Sequence, residues 1–348
     1  MSDAPAPKAK AKSGLLRILL WLVVVLLVLA LAAAGTVYGG YKWVQAEFAA
    51  PGPAAEETVI LLPRGAGLIS IANQLESEGL ISDRRIFRAM VTLDGGEGVL
   101  RAGEYRIPAG ASMAQIYEQL RVGQTVQYPV TFAEGLTSAM IVDTLNAVEV
   151  LTGEIAAIPA EGTLLPETYL VTRGTSRQDV LDRMAAAQDA LLDELWQSRA
   201  EDLPIETREE AIILASVVEK ETGVGAERPE VAAVFVNRLR RGMRLESDPT
   251  IIYGISQGEP LGRGLRRSEI DNAENAWNTY QIPRLPPTPI ANPGSESIAA
   301  VLNPAESSAL FFVADGTGGH AFADTYAEHL RNVANWRRIE RQRRNGGN

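Results

Sequence analysis

REEAIILASVVEKETG, residues 208–223, decides how this chain is read. From Ala211 to Val218 apolar side chains fall on nearly every side of a helix, the pattern of a buried helix rather than an amphipathic one. The run ends in Glu219-Lys220-Glu221-Thr222, and Gly223 is expected to stop the helix. A carboxylate at the tip of a buried helix is disfavoured by poor solvation and by the negative end of the helix dipole. Both effects raise its pKa, and a glutamic acid still protonated near neutral pH can give a proton to a glycosidic oxygen. Glu219 and Glu221 lie roughly 200° apart around the axis, so they do not form a facing pair. Glu219 shares its side with Ile212, Ala215 and Ser216, whereas Glu221 points near Leu214 and Val217. Periodicity does not choose between them, and two solvated glutamates at a helix end is the plainer reading.

Residues 18–41, ILLWLVVVLLVLALAAAGTVYGGY, carry no charge over 24 positions. About 20 apolar residues suffice for a helix to cross the hydrocarbon core. Lys8, Lys10, Lys12 and Arg17 precede the stretch, and only Lys42 follows closely. The basic flank is expected to stay cytoplasmic, which places the body outside the cytoplasm. A cleaved signal peptide, with Ala30-Leu31-Ala32 as its cleavage motif, is the competing reading, but the apolar run exceeds the usual signal length. A short Pro/Ala linker is expected over 42–57.

One pattern then occurs three times: VILLPRGAGLISIANQLE at 59–76, YRIPAGASMAQIYEQLR at 105–121 and VTFAEGLTSAMIVDTLN at 130–146. Aligning Gly65, Gly110 and Gly135 brings Ile71, Ile116 and Ile141 into register, and likewise Leu75, Leu120 and Leu145. Each copy reads as a short strand, a glycine turn and a helix. A further helix at 83–93 lies between the first two copies. The resulting strand–helix–helix–strand order resembles a LysM domain, a small glycan-binding module; a plain α+β packing domain is the alternative. The third copy, from about Tyr128, is expected to open a second domain.

The composition excludes several chemistries. The chain has 348 residues and no cysteine, which removes disulfides, thiolate nucleophiles and Cys-ligated metals. His320 and His329 are its two histidines, and their spacing does not suit a helical zinc pair. The net charge is −10 despite the basic N-terminus, which argues against nucleic acid as a partner. The turn DGTGGH, 315–320, lacks the ending of a phosphate loop, and His320 is expected to be structural. The basic stretch RRIERQRR, 337–344, reads as a solvated helix end or tail.

Beyond the opening helix several blocks follow in order. They are EKETGVGAERPEVAAVFVNRLRRGMRLESDPTIIYG at 219–254, WNTYQIPRLPPTPIANPG at 277–294, VLNPAES at 301–307 and FFVADGTGGHAFADTYAEH at 311–329, with LLPETYL at 164–170 before them. Over roughly residues 55–332 they resemble the endolytic murein transglycosylases of the MltG (YceG-like) family. Leu165 and Glu167 stand where Phe and Asp are usual, and Gly162-Thr163 stands where a Gly-aromatic pair is usual, which alters a groove wall.

The resemblance implies an α+β chain with an N-terminal transmembrane helix, a LysM-like subdomain and a lysozyme-related mixed α/β catalytic domain. Its division is a cytoplasmic tail at 1–17, the membrane helix at 18–41, the linker at 42–57, the LysM-like part at 58–127, the catalytic domain at 128–336 and a basic tail at 337–348. It selects Glu221 as the catalytic residue, with Glu219 as second choice. Ser247, Asp248, Thr250, Tyr253, Asn278, Thr279 and Tyr280 are the candidates for holding the sugar, although Asp248-Pro249 also suits a turn or cap. Asn237 and Arg238 are read as helix-end residues with a groove role as the alternative, and the Pro-rich run 285–294 as a rigid loop beside the groove. The implied reaction cleaves the MurNAc–GlcNAc bond of nascent strands with formation of 1,6-anhydro-MurNAc, and no metal or organic cofactor is implied. The partners are peptidoglycan glycan strands, the inner membrane through a single span and, by extension, peptidoglycan synthases. A non-catalytic, membrane-anchored peptidoglycan-binding scaffold is the alternative.

Overall fold

A computed structural model describes residues 12–346, the side chains of 12–15 and 345–346 excepted. The first eleven residues of the expected cytoplasmic tail, with Lys8 and Lys10, lie outside the described residues. The chain is mixed α/β and divides between Val126 and Gln127 into two compact units.

The first unit begins with α1 (Lys12–Ala49), whose stretch from Leu16 is long and apolar enough to cross a membrane. The helix runs on through the first eight residues of the stretch expected to be a linker. The reason is packing: Val44 and Phe48 turn into the core of this unit, and the Phe48 ring lies 6.3 Å from Phe87 and 6.4 Å from Tyr117. Strand β1 (Thr58–Leu62), helices α2 (Leu68–Ser77) and α3 (Arg84–Leu93), strand β2 (Gly103–Ile107) and α4 (Met113–Val122) follow. β1 and β2 pair antiparallel from Thr58↔Ile107 to Leu62↔Gly103.

The second unit opens with β3 (Tyr128–Thr131) and α5 (Ser138–Ala147), then β4 (Thr168–Val171), antiparallel to β3, and the long α6 (Arg177–Gln197). The threefold pattern is visible in both units. Gly65, Gly110 and Gly135 all take positive φ, at 79°, 67° and 75°, which a side chain would strain. The three isoleucines and three leucines aligned with them are all buried. Each copy folds as expected because the same turn drops the same two side chains into a core.

Helices α7 (Arg208–Glu221), α8 (Arg228–Arg240) and α11 (Ser295–Leu302) pack against one another at the centre of this unit. Between α8 and α11 lie α9 (Asp248–Ser256), the short α10 (Arg267–Ile270) and the Pro-rich loop. β5 (Phe311–Ala314) and β6 (His320–Ala323) form an antiparallel hairpin, and α12 (Tyr326–Gly346) closes the unit. α12 runs without a break into the basic stretch expected as a tail.

Every side chain of α7 from Ala211 to Val218 is buried. Thr207 caps its start, accepting from the Glu210 N–H at 3.1 Å. The end differs from expectation. Gly223 does not take a left-handed conformation; the chain leaves the helix at Thr222, which is extended (φ −135°, ψ 130°). Thr222 can do this because its Oγ1 accepts from the Val224 N–H at 3.0 Å, so the turn needs no glycine cap. Leu214 is fully buried between α7 and its neighbours. Leu214→Ala is expected to lower the stability of the second unit by about 2–5 kcal/mol, read from the urea midpoint of the detergent-solubilised chain.

Candidate active site

The last turn of α7 sends its two glutamates in opposite directions, as a separation of two residues dictates. Glu219 turns inward. Arg228 of α8 meets it at 3.2 Å, the Gly294 N–H donates to its other oxygen at 2.9 Å, and its side chain is only 5% exposed. The same guanidinium also holds Glu134, beside the Gly135 turn, at 2.5 Å, and Glu296 of α11. Lys220 adds a bond from Nζ to the Gly135 carbonyl at 3.2 Å. Glu219 therefore ties the end of α7 to the third repeat turn, to α8 and to α11, and both its oxygens are already engaged.

Glu221 points the other way and is half-buried. The Ser247 hydroxyl donates to its Oε1 at 2.5 Å. Burial pushes the Glu221 carboxyl up to about 7; the Ser247 bond opposes this, the charge of Asp248 adds to it, and His320 and Arg238 pull it back down. The loop before α9 is built to hold Ser247. Its backbone N–H donates to Thr279 Oγ1 at 2.9 Å, its carbonyl accepts from Thr250 Oγ1 at 2.6 Å, and the two threonine hydroxyls bond to each other at 2.9 Å. Glu246, just before it, is held at a φ of 55°, a conformation a non-glycine residue adopts at a cost. Arg238 holds it there through an ion pair of 3.0 Å from Nη1, which also donates to the carbonyls of Arg244 and Leu245, while Nε donates to the Leu310 carbonyl.

Glu221 opens onto a cleft of about 380 Å³. Asp248 and Tyr280 line it too, the Tyr280 hydroxyl donating to Asp248 Oδ1 at 2.8 Å. Burial first, and the Asp248 carboxylate second, raise the Tyr280 pKa well above its ordinary value, so this phenol keeps its proton. The structure thus brings Glu221, Ser247, Asp248 and Tyr280 together. Thr250 and Thr279 lie fully buried behind Ser247. Asn278 is buried as well; its Nδ2 donates to the carbonyls of Glu269, Ile270 and Asn272, and its Oδ1 accepts from the Tyr280 N–H, so it shapes the loop that presents Tyr280. Tyr253 does not line this cleft. It lies five residues further along α9, facing a second cavity, with its ring 5.6 Å from that of Trp277.

The cleft is also lined by Phe235, Phe311, Phe312 and His329, none of which the sequence put forward as a site residue. Their signal was weak, because aromatic side chains in a helix and a hairpin read as ordinary core. Arg238 lines the cleft in addition to bracing Glu246, with its guanidinium 5.2 Å from the Phe311 ring. Asn237 instead donates to the carbonyls of Ser307 and Ala309. His320 is engaged with Glu227 at 2.7 Å. Burial works against the Glu227 charge, but the bonds from His320 outweigh it and hold that carboxyl below its usual range. The Pro-rich loop is stitched to α7, the Ile290 N–H donating to Ser216 Oγ at 3.0 Å and Gly294 to Glu219.

The sequence profile of the YceG-like family matches residues 60–335. The chain belongs to the YceG-like family. This YceG-like chain is 30% identical over 321 residues to an endolytic murein transglycosylase of Streptococcus pneumoniae serotype 2 (strain D39), covering 78% of this chain and 57% of that protein. It is 28% identical over 303 residues to an endolytic murein transglycosylase of Bacillus subtilis (strain 168), covering 78% of this chain and 82% of that one. It thus spans somewhat over half the length of its pneumococcal relatives. A crystal structure of a yceG-like protein from Listeria monocytogenes covers 79% of this chain and 98% of that chain, at 26% identity and a TM-score of 0.47.

The raised pKa of Glu221 has a thermodynamic sign. Its folded-state value lies above its ordinary 4.5, so the folded protein holds this proton more tightly than the unfolded chain. That contribution is complete below about pH 4.5 and is lost as pH rises through about 7. Glu221→Gln is therefore expected to stabilise the protein at pH 8 by roughly 1–3 kcal/mol, with the gain vanishing towards pH 4 in paired denaturation curves.

Proposed function

We propose that this chain is a lytic transglycosylase that cuts peptidoglycan strands between MurNAc and GlcNAc, with Glu221 serving in turn as acid and base. One observation carries this reading: a carboxyl with a pKa of about 7, fixed by Ser247, on the wall of a cleft that also holds Asp248 and Tyr280. The names of the pneumococcal and Bacillus relatives point the same way.

The reaction proceeds in two proton transfers. Ser247 occupies Oε1, which leaves the Glu221 proton on Oε2 free to go to the bridging oxygen. The C1–O bond of MurNAc breaks, and the GlcNAc 4-hydroxyl departs. Positive charge develops at C1, where the substrate's own acetamido carbonyl and the nearby Asp248 carboxylate stabilise it. Ionised Glu221 then takes the proton of the MurNAc C6 hydroxyl as O6 bonds to C1, closing the 1,6-anhydro ring. Atoms balance without water, and no second carboxylate acts as nucleophile or base, unlike the common two-carboxylate glycosidases. Tyr280 holds Asp248 in place, and Phe311 and Phe312 offer an apolar wall to the sugar faces.

In the same reading α1 is a single-pass inner-membrane anchor with its N-terminus cytoplasmic, and the body lies in the periplasm. The first unit, whose order β1–α2–α3–β2 suits a LysM-like module, holds the strand, and the lysozyme-related second unit cuts it within its length. Cleavage of nascent strands terminates their elongation, which makes a peptidoglycan synthase a natural neighbour.

Muropeptide mass spectrometry of treated glycan strands tests the proposal. The wild type is expected to release anhydro-MurNAc ends, and Glu221→Gln to lose at least about 100-fold in rate. A wild type that releases none leaves a scaffold role, and products heavier by one water indicate hydrolysis instead. Ser247→Ala removes a bond that lowers the Glu221 pKa, so its rate is expected to fall while the basic limb of its pH profile moves to higher pH.

A further inference from the structure

The second unit holds another cavity, of about 500 Å³, bounded by α6, α7, α9 and the loop of Trp277. The proposed chemistry at Glu221 does not use it. One side is apolar: Trp277, Tyr253, Ile212 and Leu192. Trp277 is fixed, because its indole N–H donates to Thr288 Oγ1 at 3.0 Å and its ring meets Tyr253 edge to face.

The polar lining is dominated by acceptors. Glu161, Asp189 and Glu209 all lie on it. Glu161 is met by neutral donors, the Ser138 N–H at 3.0 Å and Asn292 Nδ2 at 3.4 Å. Asp189 and Glu209 have no cationic partner among the described residues; Arg208 lines the cavity too, but its guanidinium is paired with Asp193. Gln188 adds an independent sign. It is 2% exposed; its Nε2 donates to the Gly162 carbonyl at 3.2 Å, and its Oε1 has no hydrogen-bond partner among the described residues. A buried amide oxygen left without a donor is costly.

A neutral sugar presents more acceptors than donors and suits such a surface poorly. An ammonium group presents donors alone, carries the charge the carboxylates lack, and is attracted to the faces of Trp and Tyr. We propose that this cavity binds a primary ammonium carried on an aliphatic chain, the methylenes lying along the aromatic wall and the N–H donors meeting the carboxylates. Resting on the reading of the protein as a peptidoglycan lyase, the source is the diamino-acid side chain of a wall stem peptide. Thr163, a small residue where the sequence resemblance leads one to expect an aromatic one, is part of the lining.

The test reads binding directly on the full-length chain in detergent, so it stands whether or not Glu221 proves catalytic. The probe is Nα-acetyl-lysine methylamide, with its Nε-acetylated and norleucine counterparts as controls. The signal is the indole N–H resonance of Trp277, assigned through Trp277→Phe. The lysine probe is expected to shift this resonance saturably, binding about tenfold or more tighter than either control. Asp189→Asn combined with Glu209→Gln is expected to remove that preference, Thr163→Trp to block the cavity, and Glu221→Gln to leave binding intact. Equal binding of the norleucine probe, absence of any saturable shift, or an undiminished preference in the double variant overturns the proposal. In a second arm, strands with free-amine stems are expected to be cut faster than strands with acetylated stems, and Thr163→Trp to erase the difference. A wild-type enzyme indifferent to stem acetylation would contradict the assignment to the stem peptide while leaving the cavity's own preference measurable.

Discussion

The proposed cleavage chemistry depends on the hydrogen bond from Ser247 to Glu221. A carboxyl left alone at the end of a buried helix would either ionise and draw in water or swing away from its neighbours. One short bond from a hydroxyl fixes one oxygen and leaves the other for the proton. Holding Ser247 at that spot takes the hydroxyls of Thr250 and Thr279, a left-handed Glu246, and the Arg238 guanidinium that pins it. These groups need not touch a substrate to matter, because they set where one oxygen atom stands.

The neighbouring glutamate has the complementary task. Glu219 lies on the opposite side of α7 and is held by Arg228, which also gathers Glu134 and Glu296. A buried ion pair of this kind is a poor source of net stability, but it fixes geometry, because removing one partner strands the other charge. Three carboxylates, from the Gly135 turn, α7 and α11, converge on one guanidinium, and the end of α7 cannot shift without disturbing all of them. The helix therefore carries an anchoring carboxylate and a protonatable one within a single turn.

Much of this was legible beforehand. The all-round apolar run from Ala211 to Val218 announced a buried helix, and the threefold Gly–Ile–Leu register announced three like turns, each of which drops its two aliphatic side chains into a core. The spacing of Glu219 and Glu221 ruled out a facing pair. The choice between them was not legible, because it depends on Arg228, Gly294 and Ser247, which only the tertiary fold brings to the helix end. For the same reason Tyr253, which shares one run of sequence with Ser247, faces elsewhere: five residues beyond Asp248 along α9, it lines another cavity. The aromatic wall from Phe311 and Phe312 gave no periodic signal of its own, and Thr222 replaced the glycine stop through a side-chain bond that no pattern of hydropathy encodes.

The continuity of α1 with the first unit has a mechanical consequence. Phe48 sits in that unit's core with Val44 packed against it, and the last residue of the uncharged stretch, Tyr41, lies only seven positions before Phe48. At about 1.5 Å per residue that is roughly 10 Å of rigid rod. With α1 as the anchor, the unit stands on a stiff post rather than a tether. In the proposed reading, that post confines the unit to a nanometre-scale layer over the bilayer.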